Sequence, residues 1–208
     1  MAYFPVFIEM KNKNCLVVGG GRIATRKIKT ILSYEANVKV IAPQICDEIK
    51  QYVKENKNLE IEERQFSFED CLGMFLVIGA TNDIKLNKNI YSYCNQHNIL
   101  VNIINGKDLC TFLFPSTIKK GDISIGITTS GKSPALAKAI RKQIEENFPS
   151  HYGELNDILG WAREQIIGEI GEEKKRRRIF SHLIELGTKQ NKLWTKEEIL
   201  EIIRREKE

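Results

Sequence analysis

Residues 16–26 read LVVGGGRIATR. Within this run Gly19, Gly21 and Ala24 fit G-x-G-x-x-A, the pattern that opens dinucleotide-binding folds. The first glycine permits a tight turn, the second lets backbone approach a pyrophosphate, and the small third residue lets the next helix pack on the strand. An apolar strand precedes the glycines and a helical pattern follows over residues 23–32. The run predicts strand, turn and helix, with phosphates bound at Gly19, Gly21, Arg22 and Ile23 where that helix begins. A plain structural turn is the alternative.

The end of the second predicted strand carries no acidic residue. Ala42 and Pro43 stand where an Asp or Glu usually accepts hydrogen bonds from the adenosine ribose, and no arginine is present to hold a 2′-phosphate. These two residues are predicted to line the cofactor, but they do not choose between NAD and NADP.

Strand and helix patterns alternate through the first half of the chain. Further strands are predicted at residues 38–41, 59–61, 75–80 and 100–104, with helices near residues 45–53 and 86–95. Such alternation implies parallel pairing and right-handed crossovers, hence an α/β fold with a doubly wound, Rossmann-type parallel sheet. Ligands bind these sheets at the carboxyl ends of the strands, so Thr81, Asn82 and Asp83 are also predicted to lie beside the cofactor.

The alternation ends beyond residue 104. Two more strands are predicted at residues 112–114 and 123–127, separated by a polar turn, and a helix follows over residues 134–147. Only helical patterns occur from His151 onward, and Thr195 to Glu198 form a capping box before the last helix. We therefore expect three regions: a Rossmann domain at 1–112, a small α+β segment at 113–148 and a helical domain at 149–208.

Composition excludes several classes of protein. Hydrophobic residues make up 42% and charged residues 28% of the 208 residues, an ordinary globular balance. No apolar run approaches the roughly 18 residues that cross a bilayer, and the first residues do not resemble a signal peptide. The five cysteines are scattered and never spaced C-x-x-C, which predicts reduced thiols, no disulfide framework and no metal site. We expect a cytoplasmic protein that does not contact membranes.

Positive charge concentrates in one part of the chain. Residues 107–142 contain seven lysines and arginines but only two acidic residues, an excess of five that equals the whole net charge of +5. Such a segment suits an anionic small molecule or nucleic acid, and a solvated face is the alternative. The basic run at residues 174–178 adjoins Glu172 and Glu173, which favours a solvated helix over a nucleic-acid patch. No nucleic-acid partner is expected.

A second glycine-rich stretch competes with the first. Residues 126–133 read GITTSGKS and match the phosphate-binding loop of NTPases, G-x-x-x-x-G-K-[ST]. Pro134 follows at once, however, and lacks the N–H that such a loop needs at the start of its helix. The interpretations that remain are an anion-binding turn at Ser130, Gly131, Lys132 and Ser133, or a purely structural turn.

Several stretches together resemble the dehydrogenase module of siroheme synthases, the precorrin-2 dehydrogenase family. The matching stretches are residues 5–7 (PVF), 16–26, 40–43 (VIAP), 80–83 (ATND), 86–87 (LN), 101–104 (VNII), 109–115 (LCTFLFP) and 129–134 (TSGKSP). The resemblance covers residues 3–145 in order and is most specific at 109–115 and 129–134.

The resemblance implies NAD-dependent oxidation of precorrin-2 to sirohydrochlorin in siroheme biosynthesis, in some members followed by weak insertion of ferrous iron. It implies a homodimer formed through the segment at 113–148. The substrate is a tetrapyrrole that carries eight carboxylates, which suits the basic segment and suggests substrate binding by residues 130–133. The resemblance thus makes NAD the expected cofactor. The family's VIAP strand end also lacks the ribose acid, so the absence of this acid here does not count against NAD.

One departure from the family concerns the chemistry. The family places an aspartate, its favoured acid or base, where this chain has Asn105, and an amide accepts protons poorly. Asp108 lies three residues further on and is the substitute to consider. Asn105 and Asp108 are therefore the candidate catalytic positions. The alternative is a sensor of NAD(H) or tetrapyrrole that has lost catalysis.

Overall fold

A computed structural model describes residues 3–207, which form two compact units that meet between Phe114 and Pro115 in the sequence. The elements of the first unit are β1 (Asn14–Val18), α1 (Arg22–Leu32), β2 (Asn37–Ala42), α2 (Asp47–Glu55), β3 (Leu59–Glu63), a short 3-10 helix (Phe68–Cys71), β4 (Leu76–Gly79), α3 (Ile84–Gln96) and β5 (Leu100–Ile103). The predicted regions 1–112, 113–148 and 149–208 stay predictions.

The first unit is built on a five-stranded sheet in the order β3-β2-β1-β4-β5, and all its strand pairs are parallel. Alternate residues of β1 face opposite sides of this sheet. Val17 packs with Ile28 and Ile49 of α1 and α2, whereas Leu16 packs with Ile90 of α3. Helices therefore cover both faces, which confirms the predicted doubly wound α/β fold.

The segment after β5 folds back along that strand. Asn102 and Cys110 form an isolated antiparallel bridge. On either side of it, the Thr111 N–H donates to the Val101 carbonyl at 2.8 Å and the Ile103 N–H donates to the Leu109 carbonyl at 3.3 Å. These hydrogen bonds join the residues before and after the turn that carries Asn105.

The prediction of a strand at residues 112–114 is wrong, because these residues form a loop. Phe112 and Phe114 pack against the core between the sheet and helices α1 and α2, and the Phe112 carbonyl accepts a hydrogen bond from Asn102 Nδ2 at 3.0 Å. The alternating aromatic residues therefore reflect packing of a loop. The next strand begins only after Pro115, which has no N–H to donate to a strand ladder.

The second unit begins with a hairpin and continues with helices. Its elements are β6 (Ser116–Lys120), β7 (Ile123–Ile127), α4 (Pro134–Asn147), α5 (Tyr152–Glu169), α6 (Glu173–Lys189) and α7 (Lys196–Lys207). β6 and β7 pair antiparallel around Gly121-Asp122, a shorter turn than predicted, and Gly121 has the positive φ of 56° that glycine adopts readily.

Helices α5, α6 and α7 share one apolar cluster that includes Leu155, Ile166, Leu183 and Ile199. The predicted capping box is confirmed: the Thr195 N–H donates to Glu198 at 2.9 Å, and the Glu198 N–H donates to the Thr195 hydroxyl at 3.2 Å. In the part of the chain that the structure describes, no helix combines the length and apolar character needed to cross a membrane.

Candidate functional site

The glycine loop between β1 and α1 lies at the carboxyl edge of the sheet. The Gly19 N–H donates to the Ile41 carbonyl of β2 at 2.9 Å, and Gly19 has a φ of +123°. A Cβ at Gly19 would lie 2.3 Å from the backbone oxygen of Ala80, so the loop approaches the end of β4 too closely for any side chain. This is the tight turn that the sequence pattern predicts.

Gly21 has a different environment. A Cβ built there meets no atom within 4 Å, so open space lies next to this backbone. Gly21 is the residue before α1, no side chain caps the helix, and its first turn holds no acidic residue. Arg22 and Ile23 are exposed beside it, while Ala24 is buried against the sheet. Free N–H groups, a helix dipole and an absence of negative charge in this turn fit the phosphates of a dinucleotide.

The end of β2 presents backbone at the carboxyl edge of the sheet, and one carboxylate of β3 lies next to it. Ala42 is buried and Pro43 is exposed. The strand register sets Glu63 of β3 beside Ala42, and its carboxylate forms an ion pair with Lys50 at 2.5 Å. The hydrogen bond from Lys50 lowers the pKa of Glu63. Glu63 is the last residue of β3, whereas the dinucleotide-binding pattern places its acid at the end of β2, so the pattern does not reveal Glu63.

The loop after β4 is held by internal hydrogen bonds. Asp83 caps α3 by accepting from the Leu86 N–H at 2.9 Å. Thr81 donates its hydroxyl to Asn87 Oδ1 and accepts Asn87 Nδ2 at its carbonyl, both at 2.9 Å. Asn87 is buried, and Asn82 is exposed between its two neighbours. Thr81 and Asp83 therefore shape the loop and present Asn82 at the edge.

The turn after β5 carries the two candidate catalytic residues. Asn105 is exposed with a φ of +62°, a left-handed conformation that asparagine tolerates better than most residues. Asp108 is exposed on the same turn. Between the turn and the sheet, Cys110 donates its thiol to the Gly106 carbonyl at 3.2 Å, and burial raises the pKa of this thiol.

The loop before α4 belongs to the second unit. Thr129 Oγ1 accepts the Ser133 N–H at 3.1 Å and donates to the Ser133 carbonyl at 2.9 Å, and the Ser133 hydroxyl accepts from the Leu136 N–H at 3.3 Å. Ser130 and Gly131 have positive φ angles of 53° and 72°. Lys132 is exposed on the turn. The hydroxyl of Ser133 is thus engaged in capping.

The structure gathers the candidates of the first unit at one edge. The segments that follow β2, β1, β4 and β5 lie side by side because these strands are neighbours in that order. The candidates at residues 130–133 lie in the second unit. Within residues 3–207, no cluster of three or more His, Cys, Asp or Glu side chains is arranged to hold a metal ion.

Besides Glu63, sequence reasoning missed the roles of two residues at this edge. Asn87 lies in a stretch that matches the family, but its role was not predicted, because its bonds to Thr81 depend on how α3 meets the loop. Lys27 of α1 is half-buried, and its Nζ lies 3.7 Å from the centre of the Phe114 ring. Lys27 and Phe114 are far apart in the sequence, so no spacing rule connects them.

The parallel sheet, its strand order and the open glycine loop define a dinucleotide-binding domain of the Rossmann class. Comparison of sequences agrees: the NAD(P)-binding family matches residues 6–116, and the family described as sirohaem biosynthesis protein central matches residues 120–147. The chain belongs to this NAD(P)-binding family.

Known proteins resemble the chain over most of its length. A siroheme synthase of Vesicomyosocius okutanii subsp. Calyptogena okutanii (strain HA) is 40% identical over 188 residues, which cover 88% of this chain and 40% of that protein. A siroheme synthase of Ruthia magnifica subsp. Calyptogena magnifica is 38% identical, covering 85% of this chain and 37% of that protein. The chain thus spans about two fifths of the length of these relatives.

A solved structure extends the likeness. The structure of SirC, precorrin-2 dehydrogenase, superposes with a TM-score of 0.76 at 25% sequence identity. The match covers 98% of each chain, so it includes the helical region as well as the sheet.

Proposed function

We propose that this protein is an NAD-dependent precorrin-2 dehydrogenase that forms sirohydrochlorin for siroheme synthesis. The observation that carries the proposal is the loop at residues 19–21, which leaves open backbone at Gly21 on the carboxyl edge of the sheet. The likeness to SirC along the whole chain supports the same reaction.

The reaction removes a hydride and a proton from precorrin-2. Bound NAD supplies the hydride acceptor, and the products are sirohydrochlorin, NADH and a proton. The N–H groups at the start of α1, at Gly21, Arg22 and Ile23, would hold the pyrophosphate, the tight turn at Gly19 would let this backbone approach it, and Asn82 would add a polar contact.

Asn105 contacts the substrate, but its amide is a poor proton acceptor. Asp108, exposed on the same turn, accepts the proton directly or through water. Hydride transfer depends mainly on how the reactants are positioned, so it proceeds without an aspartate at residue 105. The weaker proton acceptor makes the reaction slower than in an enzyme that has this aspartate.

The second unit supports binding of the substrate and of a second subunit. Ser130, Gly131, Lys132 and Ser133 form a turn that offers positive charge to substrate carboxylates. Ile123, Ile125 and Ile127 alternate on one face of the hairpin and remain only partly buried in the single chain. We assign the part of this face that stays exposed to a homodimer contact, because these three apolar side chains are incompletely covered within the chain.

A cytoplasmic location fits the chemistry of the cysteines. All five are free thiols, and four of them are buried in the core of the first unit. Such thiols persist in a reducing compartment.

An anaerobic assay tests the proposal. Precorrin-2 and NAD are mixed with the full chain, and NADH and sirohydrochlorin are followed by absorbance. The wild type should form both products in equal amounts, and Gly21→Asp should lose NADH binding because its carboxylate opposes the pyrophosphate. No turnover by the wild type, or equal NADH affinity in the two proteins, would contradict the proposal.

Asn105→Asp tests the chemistry of the turn. Aspartate also tolerates the left-handed backbone of Asn105, so the exchange alters the acid–base group and spares the fold. We expect faster dehydrogenation, within the roughly 10²- to 10⁴-fold that a general base supplies. Insertion of ferrous iron should rise more, because the ring nitrogens must lose protons as the metal enters. An unchanged rate in both assays would show that residue 105 is not in the reacting centre.

The amide at Asn105 also favours a second candidate function. A sensor that binds NADH or tetrapyrrole and signals through its helices needs no proton acceptor. Tight binding of both ligands with no turnover over hours would support the sensor and reject the enzyme.

A further inference from the structure

We propose that Lys27 binds a carboxylate of the tetrapyrrole substrate, an inference that rests on the proposed function. Lys27 lies in the second turn of α1. Helical side chains tilt toward the N-terminus of their helix, which here lies at the carboxyl edge of the sheet. Lys27 therefore extends toward the same edge as Gly21.

Aromatic packing fixes the Lys27 side chain. Its Nζ lies 3.7 Å from the centre of the Phe114 ring, and Phe112 packs on Phe114 at 5.2 Å between ring centres. A cation over an aromatic face is attracted by the ring quadrupole. The ammonium is thus held in place over the segment that follows the turn of Asn105 and Asp108.

Ion pairing distinguishes Lys27 from Lys29 on the same helix. Among residues 3–207, no carboxylate forms an ion pair with Lys27, whereas Lys29 on the same helix pairs with Glu48 at 2.7 Å. A half-buried charge without a partner is unfavourable. An anionic ligand at this position would supply the missing counter-ion.

The environment of Lys27 disfavours its charged form. Burial and the neighbouring Arg26 lower the pKa of Lys27 to about 8, and the Cys110 thiol acts in the opposite direction. A bound carboxylate would restore the ordinary pKa, so ligand and proton bind together. The site should therefore lose affinity above pH 8, where the free ammonium loses its proton.

A carboxylate fits this site better than a cofactor phosphate. Phe112 and Phe114 follow the turn after β5, which carries the candidate catalytic residues, whereas the phosphates belong at the glycine loop after β1. The tetrapyrrole carries carboxylates around its ring, and under the proposed function it binds at the turn of Asn105 and Asp108.

Three variants of the full chain test the proposal. Lys27→Met keeps the apolar contact with Phe114 and removes the charge, Lys27→Arg keeps the charge, and Lys29→Met is the control on the same helix. Sirohydrochlorin binding is titrated anaerobically by absorbance, NADH binding is titrated by fluorescence, and thermal melting checks the fold.

We expect Lys27→Met to weaken sirohydrochlorin binding about 10- to 100-fold, the range of a charge-assisted hydrogen bond, with NADH binding unchanged. Lys27→Arg should keep most of the wild-type affinity for sirohydrochlorin, and Lys29→Met should match the wild type. Wild-type affinity should fall as the pH rises above 8 and level off once the 10- to 100-fold contribution of the charge is lost, and that of Lys27→Arg should not fall, because arginine stays charged.

Unchanged sirohydrochlorin affinity in Lys27→Met would overturn the proposal, and a loss confined to NADH would assign Lys27 to the cofactor instead. Measuring sirohydrochlorin binding and turnover separately distinguishes failure of this proposal from failure of the proposed function. If the wild type binds sirohydrochlorin but does not oxidise precorrin-2, the enzyme is rejected while the titrations still decide the role of Lys27. If it binds no tetrapyrrole, both fail.

Discussion

Replacing Gly19 by alanine should destabilise the first unit, whereas the same change at Gly21 should spare the fold and weaken cofactor binding. The two glycines lie two residues apart in one loop. At Gly19 the φ is +123° and a Cβ would lie 2.3 Å from the Ala80 oxygen, whereas at Gly21 it would meet open space.

The size of the Gly19 effect follows from two contributions. A non-glycine residue in a sparsely populated backbone region costs about 1–3 kcal/mol. Moving the end of β4 away from the new methyl group adds about 1–3 kcal/mol, as for other overpacked sites. Their sum, roughly 4 kcal/mol, is a large part of the roughly 5–15 kcal/mol that stabilises a typical protein. At roughly 4 °C per kcal/mol the melting temperature should fall by roughly 15 °C.

Thermal melting by circular dichroism and NADH titration by fluorescence measure the two effects. Gly21→Ala has an ordinary φ of −94°, so its cost is limited to the residue before α1 and should stay below about 1 kcal/mol. Its methyl group should nevertheless weaken NADH binding, because it occupies the space that the pyrophosphate needs. A Gly19→Ala protein that melts within roughly 2 °C of the wild type would refute the close approach to Ala80.

Two further predictions concern hydrogen bonds. Thr195→Ala should lower stability by about 1 kcal/mol in a denaturant titration, because it removes half of the capping box of α7, whereas Thr188→Ala on the exposed face of α6 should have little effect. Asn87→Ala removes the side chain that bonds to both the hydroxyl and the carbonyl of Thr81, so it should cost about 2 kcal/mol and weaken NADH binding. The exposed Asn89→Ala on the same helix should change neither, and equal behaviour of the two variants would remove Asn87 from the support of this loop.

The elements predicted well from the sequence have local causes. The glycine pattern requires a tight turn and close packing, and Gly19 and Ala24 meet both requirements in the structure. The capping box at Thr195 is equally local, since its partners lie three residues apart.

The errors and omissions have tertiary causes. Phe112 and Phe114 alternate as a strand would, but they pack on a core assembled from distant elements. Lys27 reads as one more surface lysine until Phe114 is placed beneath it. Propensity and spacing describe a residue's own neighbourhood in the sequence, and contacts across the fold lie outside that information.

The folded-back segment after β5 also determines how the sheet meets other molecules. An outer strand normally presents free N–H and C=O groups to which another chain can add as an extra strand. Here the outward groups of Val101 and Ile103 are already bonded to residues 109–111, so this border of the sheet is occupied by the chain itself. The opposite border, β3, carries Glu60, Glu62 and Glu63, whose charges discourage strand addition. Both edges of the sheet are thus protected against edge-to-edge pairing with other chains, which leads to aggregates.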